Sequence, residues 1–342
     1  MAAQILPTHT PALFAAAVKR AADALRAGEV VALPTETVYG LAANALDEKA
    51  VANIFQIKGR PANNPIIVHV ASVEMAKHCV TDWPAGADKL AKAFWPGPLT
   101  LVLPRAREIP GLVTAGGPTV GVRWPGHPLI QAVIRECDFP LAAPSANLSS
   151  RISPTTAEHV RQQLGGKISL IIDGGPSQVG IESTVLDLTP LLRPKTGPPE
   201  ILRPGMIHAE SLAAVCGEVT SDKRPVTGKN SLRSPGLLQK HYSPQAKLFV
   251  LDWKDDADLL ARLVTCHLSR ATGHVIAHTQ IPSAEHFENV SVIPHDAEAF
   301  ARAIYAELHR CDEAGAEWIV VEAPPDLPEW SAIADRLRRA AV

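Results

Sequence analysis

Lys58-Gly-Arg60, followed by Pro-Ala-Asn-Asn64, is the run of this 342-residue chain with the plainest capacity for chemistry. Arg offers a bidentate fork to phosphate oxygens and Lys a point charge, so the pair can flank one polyphosphate. Taken singly, such cations are most often solvated surface. Pro34-Thr-Glu-Thr37-Val-Tyr-Gly follows the apolar run Val30 to Leu33 and delivers hydroxyls at a strand end, where open α/β sheets place ligands. The plainer reading is a strand-to-helix turn in which Thr35 or Thr37 caps the next element. Thr119-Val-Gly-Val-Arg123 ends an apolar strand on a guanidinium. That is costly unless an anion meets it, and either a substrate carboxylate or an internal Asp would serve. Ala143-Pro-Ser145-Ala-Asn147, extended to Ser153, crowds small donors at another strand end, suited to surrounding phosphate oxygens. Gly180-Ile-Glu-Ser183 and Ile201-Leu-Arg203 add a hydroxyl and a cation.

Several familiar chemistries are excluded. The chain has no G-x-x-x-x-G-K-[ST] run and no G-x-S-x-G elbow, so neither a P-loop nor a nucleophile elbow accounts for these clusters. The sequence shows no hydrolase triad and no metal-ligand cluster, which leaves phosphate chemistry by positioning and electrostatics. The five cysteines never form a CxxC pair, which reads as reduced structural thiols in a cytoplasmic protein. Lys plus Arg number 33 against 35 Asp plus Glu, so there is no global positive field to drive nucleic-acid binding. Met1 to Phe14 lacks the basic start and apolar core of a signal peptide, and no stretch approaches the length of a membrane-spanning helix.

The elements that must position these residues follow from periodicity. Ala15, Val18, Ala22 and Leu25 suggest one face of a helix from Pro11, and Asp47 to Gln56 a second. Strands are expected at 30–33, 66–70, 99–103, 119–122, 141–143, 170–172 and 184–188, with helices at 87–94, 129–136 and 156–164 between them. One mixed α/β domain is expected over 1–209, then a connector over 210–245, then a smaller unit over 246–342. In that last unit, strands at 248–251, 274–277 and 318–321 alternate with helices at 258–269, 297–314 and from 331. The alternation implies a small parallel sheet. It lacks the GxGxxG of a dinucleotide site.

In order along about residues 15–207, PTETVYGL, KGRPANNP, IVHV, FWPGPLT, VGVRWPGHP, APSANLSS, IDGG, GIESTV and ILRPG resemble the YrdC-like threonylcarbamoyl-AMP synthase family. Ser234-Pro-Gly, His241-Tyr-Ser-Pro and the α/β tail resemble its longer, two-domain branch. The resemblance implies a twisted mixed sheet with a concave positive cleft, plus a C-terminal Rossmann-like parallel α/β domain. It implies ATP, L-threonine and bicarbonate or CO2 as substrates, Mg2+ carried by the ATP phosphates without a protein ligand, and a downstream transferase complex acting on tRNA. By resemblance, Lys58, Arg60, Ser145 and Asn147 are catalytic. L-Threonine falls to Thr37, His69, Arg123, the Ala143 backbone and Ser183. ATP falls to Arg60, Asn64, Thr119, Ser145, Ser153 and Arg203, with Tyr242 closing over it. Leu237-Leu-Gln-Lys departs from the Met and basic or aromatic residues usual there. Rival readings are an RNA-binding module, a carbamoyl transferase and a regulatory interaction protein. The near-neutral charge weighs against the first, and the lack of CxxC pairs against the second. Neither membrane association nor strong direct nucleic-acid binding is expected.

Overall fold

The computed structural model describes residues 3–192, 197–221, 232–236, 238, 240–266, 268 and 272–342. The chain forms two compact units, one of Met1–Ser149 with Ser153–Leu238 and one of Ser150–Ile152 with Gln239–Val342. Residues 210–221 and 232–236, read in the sequence as connector, thus belong to the first unit. Leu237 and Gln239 of the divergent run, most of the polar stretch 220–233, and Ser269 lie outside the described residues.

In the first unit the strands are β1 (Gln4–Pro7), β2 (Val31–Leu33), β3 (Gly40–Asn44), β4 (Val68–His69), β5 (Leu99–Pro104), β6 (Thr119–Arg123), β7 (Leu141–Ala142), β8 (Leu170–Asp173), β9 (Thr184–Asp187), β10 (Glu200–Arg203) and β11 (Thr220–Ser221). They make one twisted mixed sheet in the order β1-β8-β2-β3-β7-β4-β6-β5-β9-β10-β11. Its helices are α1 (Pro11–Arg26), α2 (Glu48–Lys58), α3 (Val73–His78), α4 (Ala85–Phe94), α5 (Pro128–Cys137), α6 (Ala157–Leu164) and α7 (Ala209–Cys216).

Apolar side chains fill two cores. Ala17, Ala21, Ala24 and Leu25 of α1 pack with Leu129, Val133 and Ile134 of α5 over Leu33 and Leu170, while Leu41, Val68, Leu101 and Val122 belong to the other core. Ala15, expected on the inner face of α1, is exposed; the row of small alanines at 17, 21 and 24 is what lets this helix approach its neighbours closely. Strands β1, β3, β10 and β11 were not expected from the sequence: β1, β10 and β11 lie at the two ends of the sheet and carry no apolar run longer than two aliphatic residues, and β3, Gly-Leu-Ala-Ala-Asn, has no β-branched residue.

Local chemistry fixes where α2 ends. Asp47 caps its start, accepting from Lys49 N–H at 2.9 Å, worth about 1 kcal/mol. Gly59 stops it in the left-handed region at φ 60°, a conformation with little cost only for glycine. Lys58 is therefore the last helical residue and Arg60 leaves on the outgoing loop.

In the second unit, β12 (Lys247–Leu251), β13 (Gly273–Ala277), β14 (Val290–Val292) and β15 (Trp318–Glu322) form an all-parallel sheet in the order β12-β15-β13-β14. The helices are α8 (Asp256–Thr265), α9 (Ala297–Glu313) and α10 (Ser331–Ala340). Every residue of β13 and β15 is buried, as expected of parallel strands covered on both faces. β14, the end strand of this sheet, was not expected: its Val-Ser-Val is interrupted by a polar residue and none of the three is buried. At Gly273, paired with Trp318, an added Cβ would fall 1.8 Å from the indole. Gly273→Ala is accordingly expected to destabilise this unit by about 1–3 kcal/mol through overpacking, read as a lower denaturation midpoint; an unchanged midpoint would show that the indole moves freely.

Candidate active site

The run Pro34 to Tyr39 does not lead into a helix. It returns the chain to the sheet as β3, antiparallel to β2 with Leu33 opposite Gly40. Thr35 folds this loop, its Oγ1 accepting from the N–H groups of Thr37 and Val38, both at 3.2 Å. Other loops are laid against it: Val179 N–H donates to the Glu36 carbonyl at 2.7 Å, Gly180 N–H to that of Thr37 at 3.1 Å, and Tyr39 N–H to that of Pro154 at 2.8 Å. Segments distant in sequence are thus tied into one surface at the ends of the central strands.

Lys58 is not a solvated surface cation. It is buried, and its Nζ donates to the Ser145 carbonyl at 2.5 Å, to the Asn147 carbonyl, and to Asn147 Oδ1 at 3.4 Å. Burial, then the Arg60 charge, pulls its pKa well below the usual lysine value. The three carbonyl oxygens favour the ammonium, and an incoming phosphate would do so further. Ser145 Oγ donates to Asn147 Oδ1 at 2.5 Å. Arg60 spans the following loop, Nε to the Asn64 carbonyl at 3.0 Å and Nη2 to Asn64 Oδ1 at 2.8 Å. Fully buried, Asn64 has an Nδ2 with no hydrogen-bond partner among the described residues, a donor left for an anion.

Arg123 already has an anion. Its Nη2 lies 2.7 Å from Oε1 of Glu36, both side chains nearly inaccessible. Nη1 donates to Thr37 Oγ1 at 3.0 Å and Nε to the Gly97 carbonyl at 3.1 Å. The internal acid that the sequence left open is therefore a glutamate, three residues past the end of β2. Nε and Nη1 each donate one hydrogen bond, while Nη2 meets Glu36 as an ion pair without hydrogen-bond geometry, so three of the five guanidinium N–H groups remain for a ligand. Beside it, His69 pairs with Arg123 across β4 and β6, and its Nδ1 has no partner among the described residues. Ala143 spends its N–H on the Ile67 carbonyl at 3.1 Å, so a ligand would meet only its carbonyl.

Burial, then the Arg123 charge, lowers the His69 pKa to about 3. The folded ring stays neutral while the unfolded one takes a proton below its ordinary value of 6.5. Because the folded pKa is the lower one, His69 costs nothing above that pH and removes stability as pH falls from there towards 3. Between about pH 7.5 and about pH 5, His69→Asn is expected to lose about 2 kcal/mol less than the unaltered chain. Urea unfolding at both pH values checks this; parallel losses would refute it.

Ser183 and Arg203 form a third group. Arg203 Nη2 donates to the Ser183 carbonyl at 2.8 Å and to its Oγ at 3.1 Å, and Ser183 Oγ lies 2.9 Å from Thr100 Oγ1. Thr100 and Thr119 line a cavity of about 90 Å³ together with Pro65, Arg233 and Pro235. Arg233 is held there by Asp187 and by Glu200, the latter at 2.6 Å. Ser153 Oγ donates to Glu182 Oε1 at 2.5 Å. The structure thus gathers Thr37, Lys58, Arg60, Asn64, His69, Thr119, Arg123, Ala143, Ser145, Asn147, Ser153, Ser183 and Arg203 in the first unit. Tyr242 belongs to the second, buried with its ring stacked on Tyr305 at 6.0 Å and under Arg336 at 5.3 Å.

Sequence reasoning missed Glu36, Thr100 and Glu182. Glu36 carried a signal, an acid between two threonines at the end of an apolar strand. Thr100 carried none, since an alternate residue of an apolar strand reads as core.

Fold and site together define a mixed α/β protein that buries three cations, Lys58, Arg123 and Arg203, in its first unit. Residues 23–205 match the Sua5/YciO/YrdC model, described as telomere recombination, and residues 207–342 match the threonylcarbamoyl-AMP synthase C-terminal domain. The chain belongs to this family and carries that C-terminal domain. It is 40% identical over 332 residues to the threonylcarbamoyl-AMP synthase of Pyrococcus abyssi, covering 95% of this chain and 94% of that one. To the Bacillus subtilis protein of the same name it is 40% identical over 329 residues, covering 95% and 92%. The crystal structure of P. abyssi Sua5 complexed with L-threonine superposes with a TM-score of 0.85 at 39% identity, over 95% of this chain and 94% of that one. Among the described residues, no helix is long and apolar enough to cross a membrane.

Proposed function

We propose that the chain is an L-threonylcarbamoyladenylate synthase, a nucleotidyltransferase that makes threonylcarbamoyl-AMP and pyrophosphate from L-threonine, bicarbonate or CO2, and ATP. The product would feed a transferase complex that modifies tRNA in the cytoplasm. The observation that carries the reading is the buried Lys58 at the end of α2, its Nζ between the Ser145 and Asn147 carbonyls with Arg60 alongside, those carbonyls following β7, which β4 alone separates from the strand of the buried Arg123. Such an arrangement can take a polyphosphate and an amino-acid carboxylate side by side. Relatives of that name aligned along 95% of the chain, one solved with L-threonine, support it.

In this reading the threonine amine adds to the carbon of CO2, one C=O π bond opening onto oxygen and an amine proton passing to solvent, or condenses with bicarbonate with loss of water, giving a carbamate. A carbamate oxygen then attacks the α-phosphorus of ATP and the bond to the departing pyrophosphate breaks. Arg123 would fix the threonine carboxylate, while Lys58, Arg60 and Arg203 offset the repulsion between two anions. His69, neutral at pH 7, would offer the threonine hydroxyl a hydrogen bond rather than a charge.

The donors around the cleft suit phosphate oxygens. Glu36 is engaged by Arg123 and Glu182 by Ser153. The one trio of metal-ligating side chains among the described residues lies in the second unit. Mg2+ belongs, in this reading, to the ATP phosphates, where it would lower their charge. Pyrophosphate release should require threonine and bicarbonate together with ATP, and serine or valine should support much less of it. Salt-dependent RNA binding without ATP turnover would instead favour an RNA-binding module.

A further inference from the structure

The second unit carries a side-chain cluster that the synthase reading does not use. His274, on β13, and Glu307 and Cys311, one turn apart on α9, bring Nε2, a carboxylate oxygen and Sγ to within 4.8 Å of one another. His274 and Cys311 are buried, and Glu307 is half-buried. A cation already fills the space between two of them. The guanidinium of Arg310 lies 3.1 Å from His274 Nε2 and also reaches Glu307 and Ser291 Oγ. A guanidinium has only donors, so the 3.1 Å contact calls for the Nε2 lone pair, while Ser291 Oγ, 2.6 Å from Nε2 and donating its one proton to Glu307, calls for the Nε2–H tautomer; the ring nitrogen can take either role. A ring nitrogen able to present a lone pair, a carboxylate and a thiol therefore face one place. The Arg310 side chain is 53% exposed, free to swing into water.

We propose that His274, Glu307 and Cys311 form a metal site for Zn2+ or a similar borderline-soft divalent ion, which enters as Arg310 leaves. A nitrogen, an oxygen and a sulfur ligand suit zinc and disfavour Mg2+ or Ca2+. The i, i+4 spacing of Glu307 and Cys311 sets both on one face of α9, and β13 supplies the third ligand. Charge is conserved. Before entry one guanidinium faces one carboxylate and a neutral thiol. After entry the divalent ion faces a carboxylate and a thiolate, the thiol proton having gone to solvent. A water completes four-coordination. All three ligands lie in the second unit, so the ion clamps β13 to α9 and its effect is on that unit's stability.

The test uses the full-length chain and Co2+ as the spectroscopic probe. One equivalent is expected to give tetrahedral d–d bands and a thiolate-to-cobalt charge-transfer band, both removed by adding Zn2+. Cys311→Ser should lose the charge-transfer band and His274→Gln should bind at least about tenfold more weakly. Should either variant not fold, Arg310→Ala decides on its own, because losing the competing cation should tighten Co2+ binding. Zn2+ should also raise the melting temperature of the unaltered chain and not that of Cys311→Ser. No charge-transfer band at one equivalent, a band that survives Cys311→Ser through the other four cysteines, or equal affinity in Arg310→Ala would overturn the proposal.

Discussion

Replacing Lys58 with alanine is expected to cut threonine-dependent pyrophosphate release by about 10²–10³-fold, the scale set by removing one preorganised donor from a charged transition state. Here the donor is an ammonium in a dry setting: Lys58 is 2% exposed and held by the Ser145 and Asn147 carbonyls. Substitution also strands those carbonyls, at a stability cost of about 1–3 kcal/mol. The kinetic loss must therefore be read at a temperature where the variant remains folded. Lys58→Arg separates position from charge. A planar fork does not reproduce the approach of a compact ammonium to these carbonyls, so charge alone should restore less than a tenth of the lost rate. Turnover of Lys58→Ala within about threefold of the unaltered chain would remove this residue from the catalytic machinery.

Arg123→Gln is expected to lower unfolding free energy by about 3–5 kcal/mol, since it leaves a carboxylate buried without its counter-charge. Glu36 is 7% exposed and Arg123 3%, so little water would reach the stranded group. The double variant Glu36→Gln, Arg123→Gln removes both charges and should regain most of that loss, giving a coupling energy of about 2–3 kcal/mol in a double-mutant cycle. Threonine binding should not return with stability, because the substrate carboxylate would have lost its guanidinium. Denaturant unfolding measures the first effect and threonine titration the second. A double variant that regained threonine affinity would show that Arg123 acts on the fold alone.

How much of this was legible can be judged from particular residues. The strands from 99 to 187 followed from their apolar runs bounded by Gly, Pro or polar residues, and the helices α2, α4, α5 and α6 from their period, each being eight residues or longer. Lys58 was legible as a cation and illegible as a buried one, since its burial depends on Ser145 and Asn147, 87 and 89 residues away. The role of Thr37 was ambiguous: the same hydroxyl could cap a helix or line a cleft, and the antiparallel return into β3 decided between them.

Composition, strand and helix periods and the spacing of charged and hydroxyl residues were determined by the sequence itself, because each depends on neighbours within a few positions. Two α/β units, a Lys-x-Arg pair and a family likeness follow from these alone. Only the tertiary structure decided that Glu36 meets Arg123, that His69 is driven neutral, and that Tyr242 packs against Tyr305. Pairing and desolvation are long-range events: a side chain's charge state depends on which strand lies beside it, and strand order is not written in local spacing.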